Sequence, residues 1–163
     1  GWESLLKEPD KVDLNSRLFC DTAIATRVPY NDRKIEMKPY VVSRSVDCGW
    51  IWEIPIRTRI GSGLVFNKSI TPIEEAKQYL IKHWDNRITE EDLKVLNWTP
   101  YYCKNIWEDN IVSIGLSAGF IEPLESTGLA LMIDGLSLSY IETSSLLASP
   151  ATTSSAKKCQ MIT

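Results

Sequence analysis

Two stretches of the chain hold residue types that could do chemistry together. The first is Gly49-Trp50-Ile51-Trp52-Glu53-Ile54-Pro55. It reads as a strand, in which alternate side chains share a face. Trp50, Trp52 and Ile54 then line one side, and Ile51, Glu53 and Pro55 the other. Two indoles about 7 Å apart along one strand make a flat apolar wall. Such a wall separates compartments, stacks on an aromatic ligand, or packs its sheet against a helix, and spacing alone does not choose among these.

The second stretch is Gly115-Leu116-Ser117-Ala118-Gly119-Phe120-Ile121-Glu122-Pro123-Leu124-Glu125-Ser126-Thr127-Gly128. Small residues crowd the approach, Pro123 fixes a turn, and Ser126-Thr127-Gly128 opens a helix. Backbone N–H groups at a helix start carry partial positive charge and favour an anion. Gly128 lets a ligand approach the main chain closely. Glu125 puts a carboxylate beside that cradle, able to orient a proton donor or polarise an electrophile. Ordinary helix capping by Ser126 or Thr127, with Glu125 favoured by the helix dipole, accounts for the same residues equally well.

Bulk properties remove other classes of function. With 163 residues, 44% apolar and 24% charged, the chain can build a compact core. A net charge of −3 argues against binding nucleic acid, which needs a basic patch. No apolar run is long enough to span a bilayer, so no membrane role is expected. Cys20, Cys48, Cys103 and Cys159 are scattered and His83 is the single histidine, so no metal site is expected. The cysteines read as reduced thiols of a cytoplasmic protein. A chain that opens Gly1-Trp2-Glu3-Ser4, without Met, a basic start or an apolar stretch, reads as an internal piece.

The elements that must position these residues read as an α+β fold, an antiparallel or mixed sheet meander with packed helices. Strands are expected at 17–28, 40–45 and 48–58, with Asn31–Lys34 a polar loop. Arg59-Ile60-Gly61-Ser62-Gly63 is expected as a glycine turn before Leu64-Val65-Phe66. Thr71-Pro72-Ile73-Glu74 announces a helix with a capping box, carrying Ile73, Ala76, Leu80 and Trp84 at helical spacing. A short helix should follow Thr89, and the segment 98–114 returns to extended structure. A final helix is expected from about Gly128 to Tyr140. Residues 1–142 read as one body and 143–163 as a tail, because 143–155 holds eight Ser or Thr residues and little that packs.

Taken together, W-x-W-x-I-P at 50–55 and G-F-x-E-P-L-E-S-T-G at 119–128 resemble the flavin-dependent tryptophan halogenase family. The resemblance extends through Leu18-Phe19-Cys20-Asp21, Gly61–Phe66 and Glu74-Glu75-Ala76 to about Tyr140. It implies part of a flavin monooxygenase-like fold and a chemistry that uses FAD. In such enzymes FADH2, supplied by a separate flavin reductase, reacts with O2 to give a flavin hydroperoxide. That species oxidises chloride or bromide, and the oxidant halogenates an electron-rich aromatic substrate such as tryptophan.

The resemblance also assigns roles. Glu125 and Ser126 correspond to the catalytic pair at the substrate end, and Thr127 and Gly128 to the halide-binding pair. Leu116 and Leu129 correspond to flavin-lining positions, while Trp50, Trp52, Ile54 and Pro55 form the motif that separates substrate from flavin. The family's G-x-G-x-x-G fingerprint and catalytic lysine motif have no match in these 163 residues, so this piece alone is expected to be inactive. A flavin-dependent aromatic hydroxylase on the same scaffold, or a non-catalytic aromatic-ligand binding domain, is the alternative.

Overall fold

The computed structural model describes residues 10–108, 111–148 and 160–162, with backbone only for residue 125 and for 141–148 and 160–162. The strands are β1 (Lys11–Asp13), β2 (Thr22–Val28), β3 (Val42–Val46), β4 (Gly49–Ile56), β5 (Arg59–Phe66) and β6 (Lys94–Asn97). They continue with β7 (Tyr101–Cys103), β8 (Trp107–Glu108), β9 (Ile111–Ser113), β10 (Gly119–Phe120) and β11 (Gln160–Ile162). The helices are α1 (Arg33–Glu36), α2 (Ile73–His83) and α3 (Thr127–Ala148). The chain divides into two compact units, Arg17–Trp98 and a second built from 1–16 with 99–163.

The Arg17–Trp98 unit is a five-stranded antiparallel sheet in the order β3-β4-β5-β2-β6. Two tight hairpins generate its first three strands, since Val46 pairs with Gly49 and Ile56 with Arg59. Register decides which residues meet the core. Ile51 pairs with Leu64, and Leu64 with Ile24, so these three lie on one face and are fully buried. On that face α2 lays down Ala76, Leu80 and, just beyond its end, Trp84. Pro55 lies past Glu53, the last β4 residue paired to β3, so its missing N–H costs no ladder bond there.

Several local expectations are overturned. Residues 59–63 are not a turn: they begin β5, and the turn lies at Arg57 and Thr58. Gly63 is there because the sheet must be bare where an indole lies on it, as shown below, whereas a Cβ on Gly61 would meet nothing closer than 3.8 Å. Asn31–Lys34 is not merely a loop, for α1 starts at Arg33 with Asp32 accepting the Lys34 N–H at 2.8 Å. Arg87 then donates to Glu36 at 2.9 Å and packs over the Trp84 ring at 5.0 Å, fastening α1 to the end of α2. The capping box at Thr71 does not form. The helix begins at Ile73 with Pro72 as its cap, which leaves Thr71 and Glu74 out of the reciprocal spacing.

The helix expected after Thr89 is a single 3₁₀ turn, Glu90–Asp92, carrying a real capping box. β6 follows instead, because Leu93 and Val95 alternate onto the core while the backbone pairs with β2.

In the other unit, β7 sits between β1 and β10, both antiparallel to it. A second small sheet joins β8, β9 and β11, with β11 parallel to β9. Extended structure in 98–114 is as expected. α3 runs on to Ala148, past the end expected at Tyr140. Most of the proposed tail, 149–159 and 163, lies outside the described residues.

Candidate functional site

β4 places Trp50, Trp52 and Ile54 on the sheet face opposite α2, since the residue between the two indoles, Ile51, is fully buried against that helix. The wall is therefore not the packing surface for α2. Its two ring centroids are 6.0 Å apart with planes tilted by 58°. Trp50 and Trp52 are half-buried, and Ile54 and Ile56 are exposed at the end of the stripe. Across the sheet Trp50 pairs with Val65 and Trp52 with Gly63. A Cβ on Gly63 would fall 2.2 Å from Trp52 Cη2, so the ring lies directly on bare backbone.

Beneath the wall, Glu53 turns to the helix side. Its Oε1 is 3.2 Å from both Arg44 Nε and His83 Nε2, and His83 meets the Trp84 ring edge-on at 5.2 Å. Burial pushes the thiol of Cys48, the residue before β4, upward, so it stays protonated and unreactive. Cys20, Cys48 and Cys103 carry no disulfide. Among the described residues no group of His, Cys, Asp and Glu could hold a metal ion.

The second motif folds as two 3₁₀ turns flanking β10, Gly115–Ser117 and Leu124–Ser126, followed at once by α3. Gly115 needs its freedom: its φ is +66°, and a Cβ would lie 2.8 Å from the Met132 methyl of α3. Ser117 locks this turn, accepting from the Ile114 N–H and donating to the Ile114 carbonyl, both at 2.9 Å. Tyr101 donates to the Leu116 carbonyl at 2.6 Å. Leu116 is thereby held with its side chain 53% exposed. Leu129, 56% exposed, lies three residues before Met132 and so shares its helix face.

Ser126 stands at the entry to α3 with φ +59°, a left-handed conformation that costs a non-glycine residue roughly 1 kcal/mol. That reversal sets the direction in which the first helical amides point. Thr127 does not cap them from outside, because its hydroxyl donates back to the Leu124 carbonyl at 2.6 Å. At Gly128 nothing lies within 4 Å of where a Cβ would be. The Thr127 N–H is itself given to the Leu124 carbonyl, so what stands open at the start of α3 is the space beside Gly128, at the positive end of the helix dipole, which suits an anion. Glu125 lies in the turn Leu124–Ser126, and the direction of its carboxylate is outside the described residues.

The structure thus brings Ser126, Thr127, Gly128 and Leu129 together with the Leu116 turn in one unit, and Trp50, Trp52, Ile54 and Pro55 in the other. Leu116 and Leu129, both exposed, are the large apolar side chains that these turns and the start of α3 leave uncovered, a lining that suits a planar apolar ring. Ser62 and Gly63 were not expected to matter. Part of the signal was available: small residues spaced by two, Gly61 and Gly63, pair with Ile54 and Trp52 of the apolar stripe.

The sequence is similar to halogenases along most of its length. The tryptophan halogenase family model matches residues 1–150. Tryptophan 7-halogenase KtzQ of Kutzneria is 37% identical over 125 residues, 77% of this chain and 23% of that protein. The tryptophan halogenase of Shewanella frigidimarina superposes with a TM-score of 0.71 at 32% identity, covering 80% of this chain and 26% of its own. A flavin-dependent halogenase from Xanthomonas campestris gives 0.73 at 30% identity, over 88% of this chain and 29% of its own. This chain thus spans about a quarter of the length of these proteins. With the family model matching nearly its whole length, the chain belongs to the tryptophan halogenase family.

Proposed function

We propose that this chain supplies the halide-facing and substrate-facing part of an FAD-dependent halogenase, an oxidoreductase that places chlorine or bromine on an electron-rich aromatic such as tryptophan. The observation that carries this reading is the start of α3: left-handed Ser126, an inward-bonded Thr127 hydroxyl and unobstructed Gly128 beside exposed Leu116 and Leu129. Thr127 and Gly128 hold the halide at the positive end of the α3 dipole, on the open side of Gly128, while the Thr127 N–H stays with the Leu124 carbonyl. Leu116 and Leu129 line the ring of the flavin. Bound as FADH2 from a separate reductase, the flavin supplies the electrons with which O2 oxidises the halide.

Glu125 and Ser126 act on the organic side, Glu125 by orienting the oxidised halogen or polarising the ring as it is attacked. Overall, one halide, one aromatic C–H, one proton, O2 and the two hydrogens of FADH2 give one carbon–halogen bond, FAD and two waters. Trp50, Trp52, Ile54 and Pro55 form a dry partition that keeps substrate off the flavin and water off the oxidant. We assign residues 1–142 to this part of the enzyme and 143–163 to a C-terminal extension into which α3 continues as far as Ala148. The undisulfided cysteines suit a reducing compartment, and we place the enzyme in the cytoplasm.

The 163 residues contain no nucleotide fingerprint, so halogenation by them alone is not expected. The test uses the full-length enzyme with a flavin reductase, FAD, O2, bromide or chloride, and tryptophan as probe. Product mass spectrometry should show substitution of hydrogen by halogen. A hydroxylated product whose yield ignores bromide would overturn the proposal in favour of a hydroxylase.

A further inference from the structure

We propose that Ser62 and Gly63, adjacent on β5, are positioning residues that fix the Trp52 indole from opposite faces of the sheet. This rests on the reading of the tryptophan wall as a functional partition. The pair belongs to a segment that reads in the sequence as a turn, yet it lies in mid-strand against β4.

Ser62 works from the core side. It is 1% exposed and sits in a short chain of buried hydrogen bonds whose direction is fixed. The Trp84 indole N–H, which can only donate, gives its proton to Ser62 Oγ at 3.0 Å. The single Ser62 hydroxyl proton is then committed to the Trp52 carbonyl at 2.8 Å. Trp84 is itself 7% exposed and a member of the buried core cluster. The backbone at Trp52 is thereby fastened to the buried core of the unit. The next residue, Glu53, is tied to Arg44 and His83, which holds the same peptide a second time.

Gly63 works from the outer side. A Cβ there would meet Trp52 Cη2 at 2.2 Å, Cζ2 at 2.3 Å and the Ile24 carbonyl oxygen of β2 at 2.4 Å, so a side chain would press on the ring and on the neighbouring strand alike. A half-buried indole on a sheet face otherwise has several staggered rotamers open to it. With its carbonyl held below and its benzo edge seated on bare backbone, Trp52 keeps one, tilted 58° to Trp50 at 6.0 Å. A partition fails if one panel swings, so this seat has a consequence for coupling that general stability does not.

Two indoles this close and obliquely set couple their electronic transitions, which produces a paired circular-dichroism band that reports their relative angle. The experiment compares full-length wild type with Ser62→Ala, Gly63→Ala, Ser62→Thr, Trp52→Ala and Leu80→Val, the last a core control outside the seat. Read out are the couplet, isolated by subtracting Trp50→Phe, and the fraction of reduced flavin that ends as halogenated tryptophan. Ser62→Ala should weaken or invert the couplet and lower coupling roughly fivefold, the effect of one buried hydrogen bond. Gly63→Ala should do the same where it folds, Ser62→Thr should restore both signals, and Leu80→Val should lose stability while keeping both.

A Ser62→Ala enzyme with an unchanged couplet overturns the proposal, and so does one whose losses Leu80→Val reproduces. Should Trp52→Ala leave coupling intact, the partition reading falls instead, and the couplet by itself decides whether Ser62 and Gly63 seat the ring.

Discussion

Gly128 is the position where the proposed halide binding separates most cleanly from folding. No atom lies within 4 Å of its missing Cβ, and valine suits a helix better than glycine does, so Gly128→Val should not destabilise the chain. The added isopropyl group would fill the open space through which the proposed halide reaches the start of α3. Losing one charge-assisted hydrogen bond is worth about 1.5–3 kcal/mol, so halide affinity should fall about tenfold to a hundredfold. Peroxide released per flavin oxidised should rise in step, which a halide titration with product and peroxide counts would follow. Wild-type halide affinity in that variant would remove Thr127 and Gly128 from the halide site. Glu125 answers a different question. Glu125→Gln in the full-length enzyme should leave flavin reoxidation at its normal rate and cut halogenated product by roughly 10²–10⁴, the range for a positioned acid or base. Product formed at the parental rate would exclude the carboxylate from the chemistry.

Among the elements, the turn after Thr89 makes a prediction that depends on pH. Thr89 donates its N–H at 2.8 Å and its hydroxyl at 3.0 Å to Asp92 Oδ2. These two bonds favour the ionised form, so the Asp92 carboxyl is held below its usual value. A depressed folded-state value means the contribution is present above the unfolded-state value and is lost as pH falls through the folded one. The stability difference between wild type and Asp92→Ala should therefore be constant near neutrality and vanish in acid, as denaturant titrations at several pH values would record. A difference that persisted unchanged below the carboxylate range would show that packing, not the capping bonds, matters there. The start at Thr89 was legible because its donors and acceptors lie within four residues. The helix expected to follow it was not, since β6 is decided by an open edge of β2 far away in sequence. The same logic explains the turn assigned to Gly61-Ser62-Gly63: glycines mark a turn locally, and only the register with Trp52 reveals a seat. The tryptophan stripe itself was readable from the period of two, but not which face α2 would occupy. At the second motif, the helix start was legible from Ser126-Thr127-Gly128. The left-handed Ser126 was not, because nothing in a serine's chemistry requires that conformation.

At the scale of the molecule, the two units differ in how far their own residues satisfy them. Every member of the buried cluster Ile24, Val28, Ile51, Ile60, Leu64, Phe66, Ala76, Leu80, Trp84 and Ile88 lies within Arg17–Trp98. So do the hydrogen bonds that tie its ends, Trp98 N–H to the Asp21 carbonyl at 3.0 Å and Asp21 N–H to the Phe66 carbonyl at 3.3 Å. In the other unit, α3 carries Leu131, Ile133, Leu136 and Leu138 exposed on several sides, the pattern of a helix that expects more protein around it. Residues 17–98 should accordingly fold as an isolated polypeptide, unfolding in urea in one cooperative step. Leu80→Ala should lower its stability by about 2–5 kcal/mol, since a fully buried leucine leaves a cavity in the middle of the sheet–helix contact. The isolated unit should also bind apolar dyes through the Trp50, Trp52, Ile54 and Ile56 face, because that stripe has no helix over it within the unit. A broad, non-cooperative urea transition that Leu80→Ala leaves unaltered would mean that the sheet takes its order from the rest of the enzyme, and the partition would then be a product of the whole fold.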